Sequence, residues 1–292
     1  MVTGINSLKP ARPPSQSRLS PPLKWHGGKH YLASRIVALM PPHLHYVEPF
    51  AGGLAVLLAR DPDDPAFWLP PHKGVSEMVN DLHGPLMNFW RVLASEESFR
   101  SFQRTVEAIP LARELWDAAH AHVYGTDPIA DAVAFFVNCR QSRSGMMKSF
   151  TPLTRNRTRR QMNGNVSEWL GAVEGLPAVH ARLRRVAIEN RDALEIIQRE
   201  DEPGTLFYCD PPYLPSTRQA TEVYDHEMME NDHRRLLDVL VGCKGKVMLS
   251  GYPSALYDQT LAAWNRHTFD LPNHASGARQ KDRETEALWC NF

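Results

Sequence analysis

A chain of 292 residues with 42% hydrophobic and 23% charged residues has enough apolar material for one large domain, or for a core domain with a smaller one inserted into it. No stretch approaches the ~18 apolar residues of a membrane span, and Cys139, Cys209, Cys243 and Cys290 show no CxxC spacing, which excludes a zinc site or disulfide framework and predicts free, mostly buried thiols. Lysines plus arginines equal aspartates plus glutamates at 33 each, so only the local distribution of charge can point to a polyanionic partner.

Residues 1–22 are rich in Pro, Ser and Arg and lack the apolar core of an export signal, which predicts a disordered lead-in and a protein that stays inside the cell. Lys24-Trp25-His26-Gly27-Gly28-Lys29 follows. Its glycines allow close approach, Lys29 can neutralise a carboxylate, and Trp25 can pack on a ring or a sulfonium. Leu44 to Phe50 reads as a strand, and Ala51-Gly52-Gly53 as a glycine turn opening a helix whose amino end offers free N–H groups to an anion. Val75 to Val79 is a second apolar run, and Asn80-Asp81 stands at its end, where nucleotide-binding sheets grip ribose hydroxyls.

The chain then changes character. Pro85 to Leu93, Leu111 to Tyr124 and Ala130 to Val137 have helical spacing. Between Asp131 and Glu168 no acidic residue occurs, while Arg140, Arg143, Lys148, Arg155, Arg157, Arg159 and Arg160 all fall there, interleaved with Asn, Gln, Ser and Thr. A solvated charge run is the ordinary reading of such a stretch. The polar donors beside the charges favour contact with DNA, since phosphates and base edges take both kinds of group. His43 and His45, and His120 and His122, lack the carboxylate or Cys partners of a metal site, so no metal is expected.

Sheet-like runs resume at Val186 to Ile188, Thr205 to Cys209 and Lys246 to Ser250, with a terminal strand from Glu286 and helices near Ala193 to Arg199 and Asp232 to Val241. This alternation predicts an α/β fold with a mainly parallel sheet, residues 23–83 and 181–292, interrupted at 84–180 by a mostly helical insertion that carries the basic stretch. Asp210-Pro211-Pro212-Tyr213 follows the run ending at Cys209. A carboxylate there is aimed past the carboxyl edge of the sheet, where open α/β sheets bind ligands, and the two prolines stiffen the turn. Asp210 and the Pro211 carbonyl then form two adjacent acceptors, with Tyr213 as a stacking face. Such a site suits a flat ring bearing an exocyclic amino group. One cofactor satisfies the other groups together: S-adenosylmethionine, with its sulfonium and carboxylate at Trp25, Lys29 and the Gly52-Gly53 turn, its ribose at Asp81 and its adenine amino group at Asp192.

In this order, Lys24 to Lys29, Glu48 to Gly53, Asn80-Asp81, Phe135 to Asn138, Asp210 to Tyr213 and Asp232 to Leu237 make the chain resemble the Dam-like adenine-N6 DNA methyltransferases from about Leu23 to Phe292. The resemblance implies a Rossmann-like methyltransferase sheet and a cytoplasmic, nucleoid-associated enzyme of bacterial or phage origin acting on double-stranded DNA. It implies that Glu48 and Phe50 join Trp25, Lys29, Gly52, Asp81 and Asp192 around the cofactor. It also implies that Asp210, Pro211, Pro212 and Tyr213 hold a flipped-out adenine, with 84–180 as the target-recognition region. In one place the chain departs: relatives often read Phe-x-Gly-x-Gly, whereas here Phe50-Ala51-Gly52-Gly53-Leu54 shifts the second glycine by one position, with Gly53 expected to compensate. Cytosine-N4 methylation, which needs the same acceptors, and a non-catalytic DNA-binding relative stay open.

Overall fold

The computed structural model describes residues 19–153, 155–217, 227–272 and 283–292, so the expected lead-in lies outside the described residues as far as residue 18. The chain runs α1 (Ala33–Val37), β1 (His45–Glu48), α2 (Ala55–Ala59) and β2 (Ser76–Asn80). It continues through α3 (Gly84–Ala94), α4 (Glu96–Glu107), α5 (Arg113–His120), α6 (Pro128–Arg140), a small hairpin β3 (Thr158–Arg159) and β4 (Met162–Asn163), and α7 (Gly164–Leu183). Last come β5 (Val186–Glu189), α8 (Ala193–Glu200), β6 (Thr205–Cys209), α9 (Glu230–Val241), β7 (Lys246–Gly251), α10 (Ala255–Thr260), β8 (Asn265–Pro272) and β9 (Arg283–Cys290).

Seven strands form one sheet in the order β5-β2-β1-β6-β7-β9-β8. Only β9 runs against the others, antiparallel to both β7 and β8. The chain builds from β1 outward to β5, returns to β6 beside β1, and builds outward on the other side. Right-handed parallel crossovers therefore put the helices of the two halves on opposite faces. The buried side chains follow that division: Val56, Leu57, Phe89 and Leu183 pack on one face, and Ile196, Ile197, Leu236 and Leu240 on the other. β6 is buried along its whole length, and it alternates Leu206 and Tyr208 toward the first cluster with Phe207 and Cys209 toward the second. This is the continuous apolar run of a central parallel strand. The result is the expected Rossmann-like α/β sheet.

The helices start where the sequence offers caps. Asp127 Oδ1 accepts from Ile129 N ahead of α6, Asn163 Oδ1 from Asn165 N ahead of α7, and Asp192 Oδ1 from Leu194 N ahead of α8, each satisfying a first-turn N–H. α4 and α7 were not expected from the sequence. α4 is polar except for Phe99, Phe102 and Val106 on one face, and α7 contains Gly171, Gly175 and Pro177, poor helix formers. Burial of Trp169, Val173, Leu176 and Leu183 outweighs that propensity. β8, also unexpected, carries a mixed polar sequence because it is an edge strand. The helical segment shares its core with the sheet, since Trp90, Phe135 and Trp169 belong to the same cluster as Tyr46, Val79 and Leu206. No helix among the described residues is long and apolar enough to cross a membrane.

A buried ion network ties α7 to the sheet. Glu77 on β2 accepts from Arg60 Nη1 at 2.7 Å and from Arg182 Nη1 and Nη2 at 2.6 Å, while Arg60 Nη2 lies 3.1 Å from His43 Nε2. All four side chains are buried. Removing one partner leaves uncompensated charge, which costs about 3–5 kcal/mol. Glu77→Ala is therefore expected to lose about that much in urea unfolding, whereas Arg185→Ala, which breaks only an exposed pair with Asp63, should stay within ~1 kcal/mol; equal losses would refute the assignment.

Burial first, then Arg60, lowers His43 from 6.5 to about 4. The folded protein thus holds His43 neutral where the unfolded chain is protonated. Its contribution is complete above about pH 6.5 and declines as pH falls toward 4, by about 3 kcal/mol in all. The unfolding free energy of the wild type relative to His43→Gln should shrink by about that amount between pH 7.5 and pH 4.5; a difference independent of pH would overturn the reading.

Candidate active site

Where the strand order reverses, between β1 and β6, open α/β sheets leave a crevice at their carboxyl edge. A cavity of about 430 Å³ lies there, bordered by Trp25, Lys29, Glu48, Asp81, Asp192 and Asp210. The strand ends around it are stapled by Asn80, which is fully buried. Its Nδ2 donates to the carbonyls of Pro49 and Arg191 at 3.0 Å, and its Oδ1 accepts from Arg191 N at 2.9 Å. One side chain thus joins the ends of β1, β2 and β5. Asn190 adds a bond from Nδ2 to Asp81 O at 2.7 Å.

The glycine turn differs from expectation in what it accommodates. A Cβ on Gly52 would lie 2.8 Å from Trp25 Nε1, and one on Gly53 2.8 Å from Trp25 Cβ. These glycines make room for the protein's own indole. Trp25 in turn packs against Phe135 and His83. Leu54 itself takes the left-handed conformation, φ 56°, ahead of α2, a state costing roughly 1–2 kcal/mol for a residue with a side chain. Its complete burial offsets that strain. Asp81 Oδ2 accepts from Gly52 N and Oδ1 from His83 N, both at 3.0 Å, so Asp81 orders the turn and still has a lone pair on each oxygen. Asp192 uses Oδ1 to cap α8. Phe50 lines the cavity and packs against the second apolar cluster.

Lys29 lies with the catalytic candidates. Its Nζ is 3.0 Å from Asp210 Oδ1 and 3.9 Å from Glu286 Oε1, donates to Gly27 O at 2.8 Å, and sits 4.7 Å from the centre of the Tyr213 ring. Burial raises the Asp210 carboxyl above its ordinary range; Lys29 and the Tyr213 hydroxyl act against that shift. On the neighbouring strand, burial pushes Glu48 up to about 8, against the Tyr46 hydroxyl that donates to its Oε1 at 2.6 Å. At neutral pH Glu48 is thus mostly protonated. Tyr213 is buried, with its ring against Tyr252 at 4.7 Å, and Pro211 and Pro212 line the cavity beside it.

The basic residues divide into two sets. Arg140 is turned inward and donates from Nη2 to Glu168 O at 2.8 Å. Arg159 approaches Glu168 at 3.6 Å, and Arg160 makes a two-pronged contact with Glu174. Arg143, Lys148, Arg155 and Arg157 are exposed and form no ion pair among the described residues. The segment also does something that sequence reasoning missed: Gly145, Met146, Met147 and Lys148 form a wall of the cavity. Gly145 has φ 74°, and a Cβ there would lie 1.8 Å from Lys24 O, so only glycine fits. A Gly-Met-Met sequence inside a polar basic stretch was the available signal. No group of three or more His, Cys, Asp or Glu suited to a metal ion occurs among the described residues.

The chain is similar in sequence to known DNA methyltransferases. A DNA N-6-adenine-methyltransferase of Escherichia phage P1 is 27% identical over 250 residues, covering 79% of this chain. The chain spans only 30% of that phage protein's length. The type II methyltransferase M1.LlaDCHI of Lactococcus lactis subsp. cremoris is 26% identical over 94% of this chain and 96% of its own, and a DNA adenine methylase of Escherichia coli K12 is 23% identical over 91% and 94%. Residues 25–270, which include the Trp25 segment, the glycine turn and Asp210 to Tyr213, match one family along their whole length. The chain belongs to the D12 class of N6 adenine-specific DNA methyltransferases.

Proposed function

We propose that this chain methylates the N6 amino group of adenine at specific sites in double-stranded DNA, with S-adenosylmethionine as the methyl donor. The observation that carries this reading is the Asp210 carboxylate, held beside Lys29 at the reversal point of the sheet and followed by two prolines. The cofactor supplies a methyl group already activated on a sulfonium. Trp25, Phe50, Asp81 and Asp192 fit such a molecule, because they offer aromatic faces and carboxylate oxygens with open lone pairs around one cavity of adequate size. Lys29 is assigned to Asp210, three ångströms away, in place of the cofactor carboxylate.

An adenine inside a duplex hides its amino group, so it is flipped out, at a cost of a few kcal/mol that pocket contacts offset. Asp210 and the Pro211 carbonyl accept its two N–H groups. This keeps the nitrogen lone pair from conjugating with the ring and stabilises the positive charge that develops on N6 during attack. The protein otherwise aligns the reactants. Asp210 has to be ionised at that moment, and Lys29 supports the ionised form. A carboxylate whose proton affinity is raised by burial is also suited to take the proton that N6 sheds afterwards. Tyr213 is assigned to stacking on the flipped base. The segment 84–180 serves target recognition, with Arg143, Lys148, Arg155 and Arg157 on the phosphates.

The wild type, incubated with S-adenosylmethionine and unmethylated genomic DNA, should yield N6-methyladenine on nucleoside digestion and mass spectrometry. Asp210→Ala should lower the rate by about 10²–10³ or more while leaving cofactor binding within a few-fold. N4-methylcytosine would establish the cytosine reading, and DNA binding without any methylated base would establish a non-catalytic relative.

The charge on Asp210 also sets a pH dependence. The carboxyl of Asp210 is raised, so kcat should fall on the acid side at a pH above the ordinary carboxylate range. Since Lys29 lowers that value, Lys29→Met should move the acid limb to higher pH. An unmoved limb would separate Lys29 from the ionisation of Asp210.

A further inference from the structure

Three of the cations nearest the recognition hairpin are already paired with one helix. Lys24 Nζ lies 2.9 Å from Glu168 Oε2 and Arg159 Nη1 lies 3.6 Å from Glu168 Oε1. Arg160 donates from both terminal nitrogens to Glu174, each at 2.9 Å. Both carboxylates belong to α7. Arg160 and Gln161 have φ of 52° and 61°, forming a tight two-residue hairpin turn that folds Arg159 and Arg160 back over the helix. By contrast Arg155 and Arg157, on the same segment, have no ion pair among the described residues.

These contacts do little for stability. Arg159 and Arg160 keep 70% and 51% of their side-chain surface exposed, and pairs of that kind contribute little to folding. Lys24 does not need its ion pair for placement either, because Cys139 Sγ donates to its carbonyl at 3.6 Å and Gly145 packs closely against that carbonyl. What the pairs do change is the field that approaching DNA meets. Partial burial acts against the charge on Glu168, but Lys24, then Arg159 and Arg140, hold its carboxyl below the usual range. The hydrogen bonds from Arg160 likewise hold the Glu174 carboxyl below the usual range, so both carboxylates occupy, as charged oxygens, the partner positions that phosphate oxygens would take.

We propose that Glu168 and Glu174 are counter-charges that hold Lys24, Arg159 and Arg160 back from the DNA backbone and so limit the enzyme's affinity for duplexes of any sequence. Sequence-independent binding is essentially electrostatic. A methyltransferase that must sample many sites gains mobility when part of its positive charge is neutralised internally. The inference rests on the DNA-methylating reading above.

The test is DNA affinity as a function of salt, measured on a mixed-sequence 30-base-pair duplex by fluorescence anisotropy. Each phosphate contact contributes about 0.9 of a unit to the log–log slope. Glu168→Gln/Glu174→Gln should steepen the slope by about two to three units and tighten binding about tenfold or more at ~0.1 M salt. Arg159→Ala/Arg160→Ala should leave the wild-type slope nearly unchanged, yet remove about two units in the glutamine background. A wild-type slope that falls by about two when the arginines are removed would overturn the proposal, even where the glutamine variant does not fold. So would a folded glutamine variant with the wild-type slope. A wild type that binds no duplex and methylates none would instead overturn the methyltransferase reading, and this inference with it.

Discussion

Taking two carboxyl groups out of water at the ends of adjacent strands is expensive, several kcal/mol for each ionised group, and the active-site architecture is organised around how that cost is met. Glu48 meets it by staying protonated near neutrality and accepting from Tyr46. Asp210 lies just past the end of neighbouring β6 and is supported by Lys29. A single ammonium faces both Asp210 and Glu286, so even with Glu48 neutral the group keeps a net negative charge. Lys29 can stand there because the Trp25-His26-Gly27-Gly28 turn brings its ammonium back onto Gly27 O. The strand order is the deeper constraint, since only at the reversal between β1 and β6 do helices leave the sheet on both sides and open a crevice where these groups can meet a ligand.

The central sheet was legible because its residues obey local rules. Thr205 to Cys209 is a short apolar run followed by Asp-Pro-Pro, and its burial along the whole length is that of a central parallel strand. Long-range packing was not legible. The glycines at 52 and 53 signal close approach, but a sequence does not say whether a ligand or the chain's own Trp25 approaches. Leu54 in a left-handed conformation carries no local mark, because the strain is compensated by burial that exists only after folding. Lys29 and Arg140 were assigned to ligands from charge alone. Their partners, Asp210 and Glu168, lie far away in sequence, so composition could not reveal that each cation is engaged inside the protein.

The helical segment is inseparable from the site in a way that a boundary drawn at residue 84 obscures. Trp90 on α3 donates to Gly52 O at 3.1 Å, fixing the glycine turn from the helical side. Phe135 on α6 supports Trp25. The loop after α6 returns through Gly145 to press on Lys24, and Met146 and Met147 close the cavity wall. The segment proposed to meet DNA is thus built into the wall of the cavity. Loop backbone and the Lys24 carbonyl meet there directly, without an intervening side chain. Close-packed contacts of this kind have few intermediate positions. The joint at Gly145 and Lys24, where no side chain beyond hydrogen fits, therefore holds the loop after α6 and the turn carrying Trp25 as one packed unit along that wall.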